Sequence, residues 1–179
     1  MDSDVVRGVL SDPGSPVVGA ADADVTVVVF TDYLCSVCKR TDGAVRMLRA
    51  EDPRVRVMWK DWPIRGPIAD FAARTALAAH RQGAYAVVHA GLMEARGTLS
   101  PERIDAIAAR AGADGARLAA DRKASAREID AQLAKHNLQA FGLGIAGTPA
   151  YVIGDRLIEG GLDARRLKNA VESARRGRG

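Results

Sequence analysis

The chain has 179 residues with 47% hydrophobic and 27% charged side chains, close to globular averages, which excludes a disordered, collagen-like or coiled-coil chain. Its net charge of +4 is not concentrated on one face, because the only dense basic cluster is the Gly/Arg tail of Arg175, Arg176 and Arg178. The aromatics lie in apolar patterns away from that tail, so nucleic-acid binding is disfavoured, and no apolar run approaches the roughly 20 residues of a membrane span.

Residues 1–24 are acidic and contain no apolar segment of the kind a secretory leader uses, and they read as an N-terminal extension. Val25 to Thr31 is a β-branched run bounded by Asp24 and Asp32, the pattern of a strand buried on both faces and central in its sheet. A helix is expected from about Cys35 to Ala50, carrying Ala44, Val45 and Leu48 at helical spacing. Arg54 to Lys60 alternates, with Val55, Val57 and Trp59 on one face and Arg54, Arg56, Met58 and Lys60 on the other, and Pro63 ends it. These three elements form a strand–helix–strand unit of parallel type.

Residues 67–141 contain no strand pattern and read as an inserted run of helices. Ile68, Phe71, Ala72, Thr75, Ala76 and Ala79 share one face, then Tyr85, Val88, His89, Leu92 and Met93, then Ile104, Ile107, Ala108 and Ala111. Ser100 followed by Pro101 fits a cap and first helical position, and Ser125 with Glu128 fits a capping box. Tyr151–Ile153 and Arg156–Ile158 flank Gly154-Asp155, the loop of a type II′ hairpin, and a last helix should start after Asp163 and bury Leu167, Ala170, Val171 and Ala174. The fold class is therefore α/β: a sheet domain from residues 25–66 and 142–176, a helical insertion at 67–141, and a tail at 177–179.

Cys35-Ser36-Val37-Cys38 follows the central strand at a helix start, where unpaired backbone N–H groups and the helix dipole favour a thiolate at Cys35, with Cys38 one turn deeper. Such a thiolate both attacks disulfides and leaves them readily. Three other readings carry less. A zinc site lacks ligands, since His80, His89 and His136 sit on separate helices. A structural disulfide across so short a loop stabilises little. A phosphatase-type loop would need Arg where Thr41 stands. Gly142, Gly144 and Gly147 match a dinucleotide fingerprint but follow a helix and precede a strand, the reverse of the required order, and instead end that helix. The histidines read as ordinary helix residues, His89 within a core stripe.

The ordered combination of Phe30-Thr31-Asp32-Tyr33, Cys35-x-x-Cys38, Lys60-Asp61-Trp62-Pro63 with Gly66-Pro67, and Gly144 to Gly154 containing Thr148-Pro149 resembles the DsbA-like thiol-disulfide oxidoreductase family of the thioredoxin superfamily. The resemblance runs from about Val25 to Arg175 and implies a thioredoxin fold with an inserted all-helical domain, and a cis peptide before Pro149. It implies Cys35 as nucleophile, Cys38 as buried resolving thiol, Thr148, Pro149 and Tyr33 as the substrate-binding region, and a redox-active disulfide in place of any cofactor or metal. Implied partners are unfolded or cysteine-containing exported polypeptides and a protein that re-oxidises or reduces the pair. Localisation would be periplasmic after removal of a leader, with a cytoplasmic reductase as the alternative.

Two departures from the family pattern bear on mechanism. Where relatives commonly carry a buried Glu, six residues before the first cysteine, this chain has Val29, so proton transfer to the buried thiol is expected to fall to water or to Asp32, Lys60 or Asp61. The Ser36-Val37 dipeptide matches neither oxidases nor reductases, and Thr148 before the proline resembles isomerases. A dithiol oxidase is the first expectation, with an isomerase or reductase, a glutathione-dependent enzyme of the same fold, and a non-catalytic peptide-binding chaperone as alternatives.

Overall fold

The computed structural model describes residues 3–177. Its five-stranded sheet has the order β1-β3-β2-β4-β5, with β1 at Val17–Val18, β2 at Val25–Thr31, β3 at Val55–Asp61, β4 at Ala150–Ile153 and β5 at Arg156–Glu159. β2 and β3 run parallel in the register Val25↔Val55 to Thr31↔Asp61, joined by helix α2 (Ser36–Glu51). β4 lies antiparallel on the other side of β2, pairing Val29 with Tyr151. All seven residues of β2 are buried, so its continuous β-branched run reports a central strand.

The two faces of the sheet carry different layers. Val25, Val27, Val29, Val57 and Trp59 pack with α2, with α8 (Ala164–Arg176), and with α3 (Pro67–His80), α4 (Tyr85–Glu94) and α5 (Pro101–Ala111) in one apolar cluster. Val28, Phe30, Met58, Ala150 and Val152 pack on the opposite face against Val9 of α1 (Ser3–Leu10) and Ala140 of α7 (Ala126–Gly142). The inserted helices therefore share their core with the sheet, and the alternation read in Arg54 to Lys60 marks two buried faces, since Met58 and Lys60 are both covered.

Residues before Val25 are part of this fold. β1 adds an antiparallel edge to β3, pairing Val17 with Met58, and the Trp59 N–H donates to the Pro16 carbonyl at 3.0 Å. A two-residue strand leaves no periodicity to read, so the sequence reading starts the sheet one element late. The helix starts show which sequence signals form. Ser100 accepts from the Arg103 N–H at 3.3 Å and Asp163 from the Arg166 N–H at 2.8 Å. Ser125 makes no side-chain cap, because it also ends α6 (Gly115–Ala124) with φ −106° and ψ 16°, outside the extended conformation that an N-cap requires. In the β4–β5 turn Gly154 has φ +63° while Asp155 has no positive φ, the pattern of a type II′ turn.

Lys60 shows how a charge is tolerated inside. Its ammonium donates to Asp12 Oδ2 and Ser15 Oγ at 2.8 Å each, with Lys60 and Asp12 side chains at 0% exposure, and Lys135 donates to Asp12 Oδ1 at 2.8 Å. Burial works against the Asp12 anion, but the bonds from Lys135 and Lys60 prevail and hold its pKa well below the carboxylate range. Asp12→Asn leaves Lys60 buried without its counter-charge and should cost about 3–5 kcal/mol in denaturant unfolding. Because the Asp12 pKa is depressed on folding, its contribution is complete above the usual carboxylate range, so the gap to wild type should begin to narrow only below roughly pH 4 and close as Asp12 itself protonates in stronger acid.

Candidate active site

The chain leaves β2 at the sheet's C-terminal edge, and Asp32 organises the turn that follows. Its Oδ1 accepts from the Leu34 N–H at 2.7 Å, and its Oδ2 from the Ile64 and Arg65 N–H groups at 2.9 and 3.1 Å, which ties the segment leaving β2 to the loop leaving β3. Its carbonyl accepts from the Cys35 N–H at 3.0 Å. Cys35 is then the N-cap of α2, extended at φ −74° and ψ 113°, and its sulfur accepts from the Cys38 N–H at 3.1 Å in the place of the usual capping oxygen.

Both cysteines are thiols in this structure. The Cys38 thiol hydrogen-bonds Cys35 and is the largest influence lowering the Cys35 pKa, which falls to about 5 against the opposing effect of burial; the Cys38 N–H, Thr148 and the Arg65 charge add to it. The same bond, together with burial, pushes the Cys38 thiol far above its ordinary value. One sulfur is set up as an anion beside one held as a thiol, the asymmetry that lets a pair open a disulfide and then close its own.

The loop before β4 closes the site. The Thr148–Pro149 peptide bond is cis, and the Cys35 thiol donates to the Thr148 carbonyl at 3.3 Å. Gly161 packs against the first turns of α2, where a Cβ would stand 2.8 Å from both Val37 Cγ1 and Thr41 Cγ2. Cys35 itself is 0% exposed, so a partner sulfur reaches it only after its neighbours shift.

The other residues singled out in the sequence divide between the two sheet faces. Lys60 lies on the α1/α7 side, occupied by Asp12 and Ser15 and separated from the cysteines by the sheet, so the sheet corrects its expected place in a proton relay. Asp32 has its carboxyl oxygens engaged by three backbone N–H groups, a structural task, while burial still raises its pKa. Tyr33 is 1% exposed, its hydroxyl turned inward to His89 Nδ1 at 2.9 Å, which corrects its placement on a substrate surface. Asp61 lies on the cysteine side, fully buried, accepting from the Tyr85 hydroxyl at 3.0 and 3.1 Å, and burial lifts its pKa to about 6.

Sequence reading missed the group that Asp61 belongs to. Tyr33 and Tyr85 hydroxyls lie 3.4 Å apart, and His89 Nε2 meets Asp42 Oδ1 at 2.8 Å. The available signals were the four-residue spacings of Cys38 with Asp42 on α2 and of Tyr85 with His89 on α4, which put each pair on one helix face. His136, also read as an ordinary helix residue, is buried between Ser15 Oγ at 3.0 Å and the Asp61 carbonyl at 2.9 Å, and burial lowers its pKa to about 4. No group of three or more His, Cys, Asp or Glu side chains among the described residues is placed to hold a metal.

A paired-thiol site at the start of the helix after the central strand, closed by the 148–149 loop, is the arrangement of a thioredoxin-like domain. Comparison with known proteins places it further: the profile of the DSBA-like thioredoxin domain matches residues 26–172, and the chain belongs to that family. Among solved structures, a thioredoxin-like oxidoreductase from Silicibacter pomeroyi is 39% identical with a TM-score of 0.89, over 95% of this chain and 97% of that one. The thiol-disulfide exchange protein alpha-DsbA2 from Wolbachia pipientis is 28% identical with a TM-score of 0.90, over 96% and 92%. A periplasmic thioredoxin-like protein from Salmonella enterica serovar Typhimurium is 28% identical with a TM-score of 0.85, over 97% of each. The Na(+)/H(+) antiporter NhaA 1 from Salinispora arenicola is 32% identical over 161 residues, 87% of this chain but 24% of the antiporter. The chain thus spans about a quarter of the length of the curated relatives it matches, and no helix among its described residues is long and apolar enough to cross a membrane.

Because the Cys38 thiol is the main influence lowering the Cys35 pKa, Cys38→Ala should raise the titration midpoint from about 5 toward the free-thiol value, with the residue-38 N–H, Thr148 and the Arg65 charge as the influences that remain. The pH dependence of iodoacetamide alkylation reads this directly. In the wild type the plateau rate should also fall below that of an exposed thiolate of equal pKa, because Cys35 is covered.

Proposed function

We propose that this protein is a dithiol oxidase of periplasmic, cysteine-containing polypeptides, with Cys35 as the nucleophilic sulfur and Cys38 as the resolving one. The observation that carries the reading is the geometry of the pair: the Cys35 sulfur caps α2 and accepts the Cys38 N–H at 3.1 Å, which favours its anion and lowers its pKa, while Cys38 is buried one turn deeper and pushed the other way. A thiolate stabilised at neutral pH makes the reduced pair the favoured state, so its disulfide takes electrons from substrate thiols and hands them a disulfide in return. Thr148 and Pro149 would receive the substrate: their loop borders Cys35 through the Thr148 carbonyl, and the segment ahead of β4 offers an extended peptide a strand-like edge.

In the catalytic cycle a substrate thiolate attacks Cys35 of the oxidised pair, and Cys38 leaves as a thiolate and is protonated. A second substrate thiolate then releases Cys35, whose low pKa makes it a good leaving group. A separate redox partner re-oxidises the pair. Likeness to a periplasmic thioredoxin-like protein supports the compartment, which cell fractionation of the natural host would test.

The deciding experiment is turnover with a two-cysteine peptide in a glutathione redox buffer. The oxidised protein should form the peptide disulfide, Cys35→Ser should abolish this, and the pair should have a reduction potential less negative than about −200 mV. A potential near the roughly −270 mV of thioredoxin, with faster reduction of insulin than oxidation of peptide, would assign the protein as a reductase instead.

A further inference from the structure

To close its own disulfide after Cys35 has joined a partner sulfur, Cys38 must lose a proton, and in the reverse reaction it must regain one. Cys38 is 2% exposed. A group inside the protein is therefore needed, and the sequence offers none on β2, where Val29 stands. Lys60 is on the far side of the sheet, and the Asp32 carboxyl is turned to the backbone N–H groups of Leu34, Ile64 and Arg65 in the loops beside the site.

What remains on the Cys38 side is a continuous hydrogen-bonded chain. Cys38, Asp42, Val45 and Leu48 form the buried face of α2, and side chains four residues apart on a helix have Cβ atoms about 5–6 Å apart. Asp42 Oδ1 meets His89 Nε2 at 2.8 Å, His89 Nδ1 meets the Tyr33 hydroxyl at 2.9 Å, and the Tyr33 hydroxyl leads through Tyr85 to Asp61. In the outward direction Asp42 Oδ2 accepts from Arg46 Nε at 2.7 Å, and Arg46 bonds Glu94, whose side chain is 64% exposed. Arg46 thus clamps a buried carboxylate, one turn from Cys38, from its solvent side.

The rest of the packing agrees. The His89 ring centre lies 5.0 Å from that of Trp59, and both Trp59 and Tyr151 are strand partners of Val29, so the histidine stands over the part of the sheet where β2 offers no acid. The Tyr151 hydroxyl is 3.2 Å from Thr41 Oγ1, on the turn of α2 between Cys38 and Asp42, and burial raises its pKa. His80 meets the ring of Tyr85 edge-on from α3.

We propose that Asp42 is the internal proton acceptor for Cys38, with His89 and Arg46 the positioning residues that aim its carboxylate. The proposal rests on the thiol–disulfide exchange reading above. In the closing step the Cys38 S–H bond breaks and its proton passes to Asp42, directly or through one water. The sulfur electron pair forms the Cys35–Cys38 bond while the bond from Cys35 to the partner sulfur breaks. That sulfur leaves with its pair and is protonated by water; the cysteine pair is oxidised by two electrons and the partner disulfide is reduced. The oxidase direction runs the same step backwards, and Asp42 returns the proton.

The test uses a mixed disulfide of Cys35 with a chromophoric aromatic thiol, whose release reports attack by Cys38 in stopped flow. Asp42→Asn keeps the shape of the side chain but not its basicity. It should slow release by about 100-fold at neutral pH, within the range that general acid–base catalysis supplies, and make the remaining rate climb with hydroxide. Formation of the mixed disulfide by Cys35 should be unchanged. Asp42→Glu should recover part of the rate, which a purely structural role would not require. Should Asp42→Asn fail to fold, His89→Gln leaves the Asp42–Arg46 bond in place and should shift the same pH profile. Release with wild-type rate and pH dependence in a folded variant overturns the relay. Failure of the wild type itself to form or resolve the mixed disulfide overturns the exchange reading instead.

Discussion

The hydrogen bonds that the first turn of α2 directs at the Cys35 sulfur are the interaction on which the rest of the site depends. A helix start holds backbone N–H groups with no internal partner, and here a sulfur caps one of them. An oxygen cap would satisfy the same group and do no chemistry. A sulfur gains its anion, and because the Cys38 thiol gives its hydrogen bond to the same atom, one contact separates the two cysteines into a thiolate and a thiol. The turn leading into that cap is held in place by Asp32, which spends a carboxylate on three backbone bonds, and by the Thr148 carbonyl on the other side.

The sheet keeps two buried polar systems apart. On the α1/α7 face Lys60, Asp12, Ser15, Gln132 and His136 form a cluster whose bonds link the N-terminal segment, β3 and α7. Its buried Lys60–Asp12 pair lies across the sheet from the sulfurs, so its task is to dock the segment before β2. On the other face the chain from Asp42 to Asp61 contains two carboxylates, an imidazole and two phenols beneath the redox pair. Burial there opposes charge at Asp61 and Asp42 alike; His89 and Arg46 nonetheless keep Asp42 below the usual range, whereas Asp61 ends up above it. A group ionised near a reluctant thiol differs from one that merely fills space, and this is why the same residue types support different readings on the two faces.

Coverage of Cys35 adds a dynamic requirement. A nucleophile at 0% exposure reacts only in conformations where the groups around it have moved, and Arg65, exposed on the loop after β3 and contributing its charge to the thiolate, is on a segment whose Ile64 and Arg65 N–H groups are held by the Asp32 carboxylate. Electrostatic activation and steric cover therefore act in opposite directions on the same sulfur.

Much of this was determined by the sequence alone. The run Val25 to Thr31 can only be a covered strand, because a β-branched stretch without polar alternation has no face to give to water, and Cys35 to Cys38 at its end declares the helix start and the paired thiols together. The spacing of Ile68 through Ala111 likewise specifies helices, since periodicity is a local property. Tertiary structure alone decided the partners of buried polar groups. Lys60 and Asp61 are adjacent in sequence, yet strand alternation sends one to Asp12 and the other to Tyr85 on opposite faces. Tyr33 reads as a surface residue next to the cysteines until α4 packs over it and turns its hydroxyl inward. Asp42 and His89 are 47 residues apart and meet only because α2 and α4 pack on the same side of the sheet. A side chain's periodicity states which face it occupies, but the pairing of two charges depends on distances across the fold that no local pattern encodes.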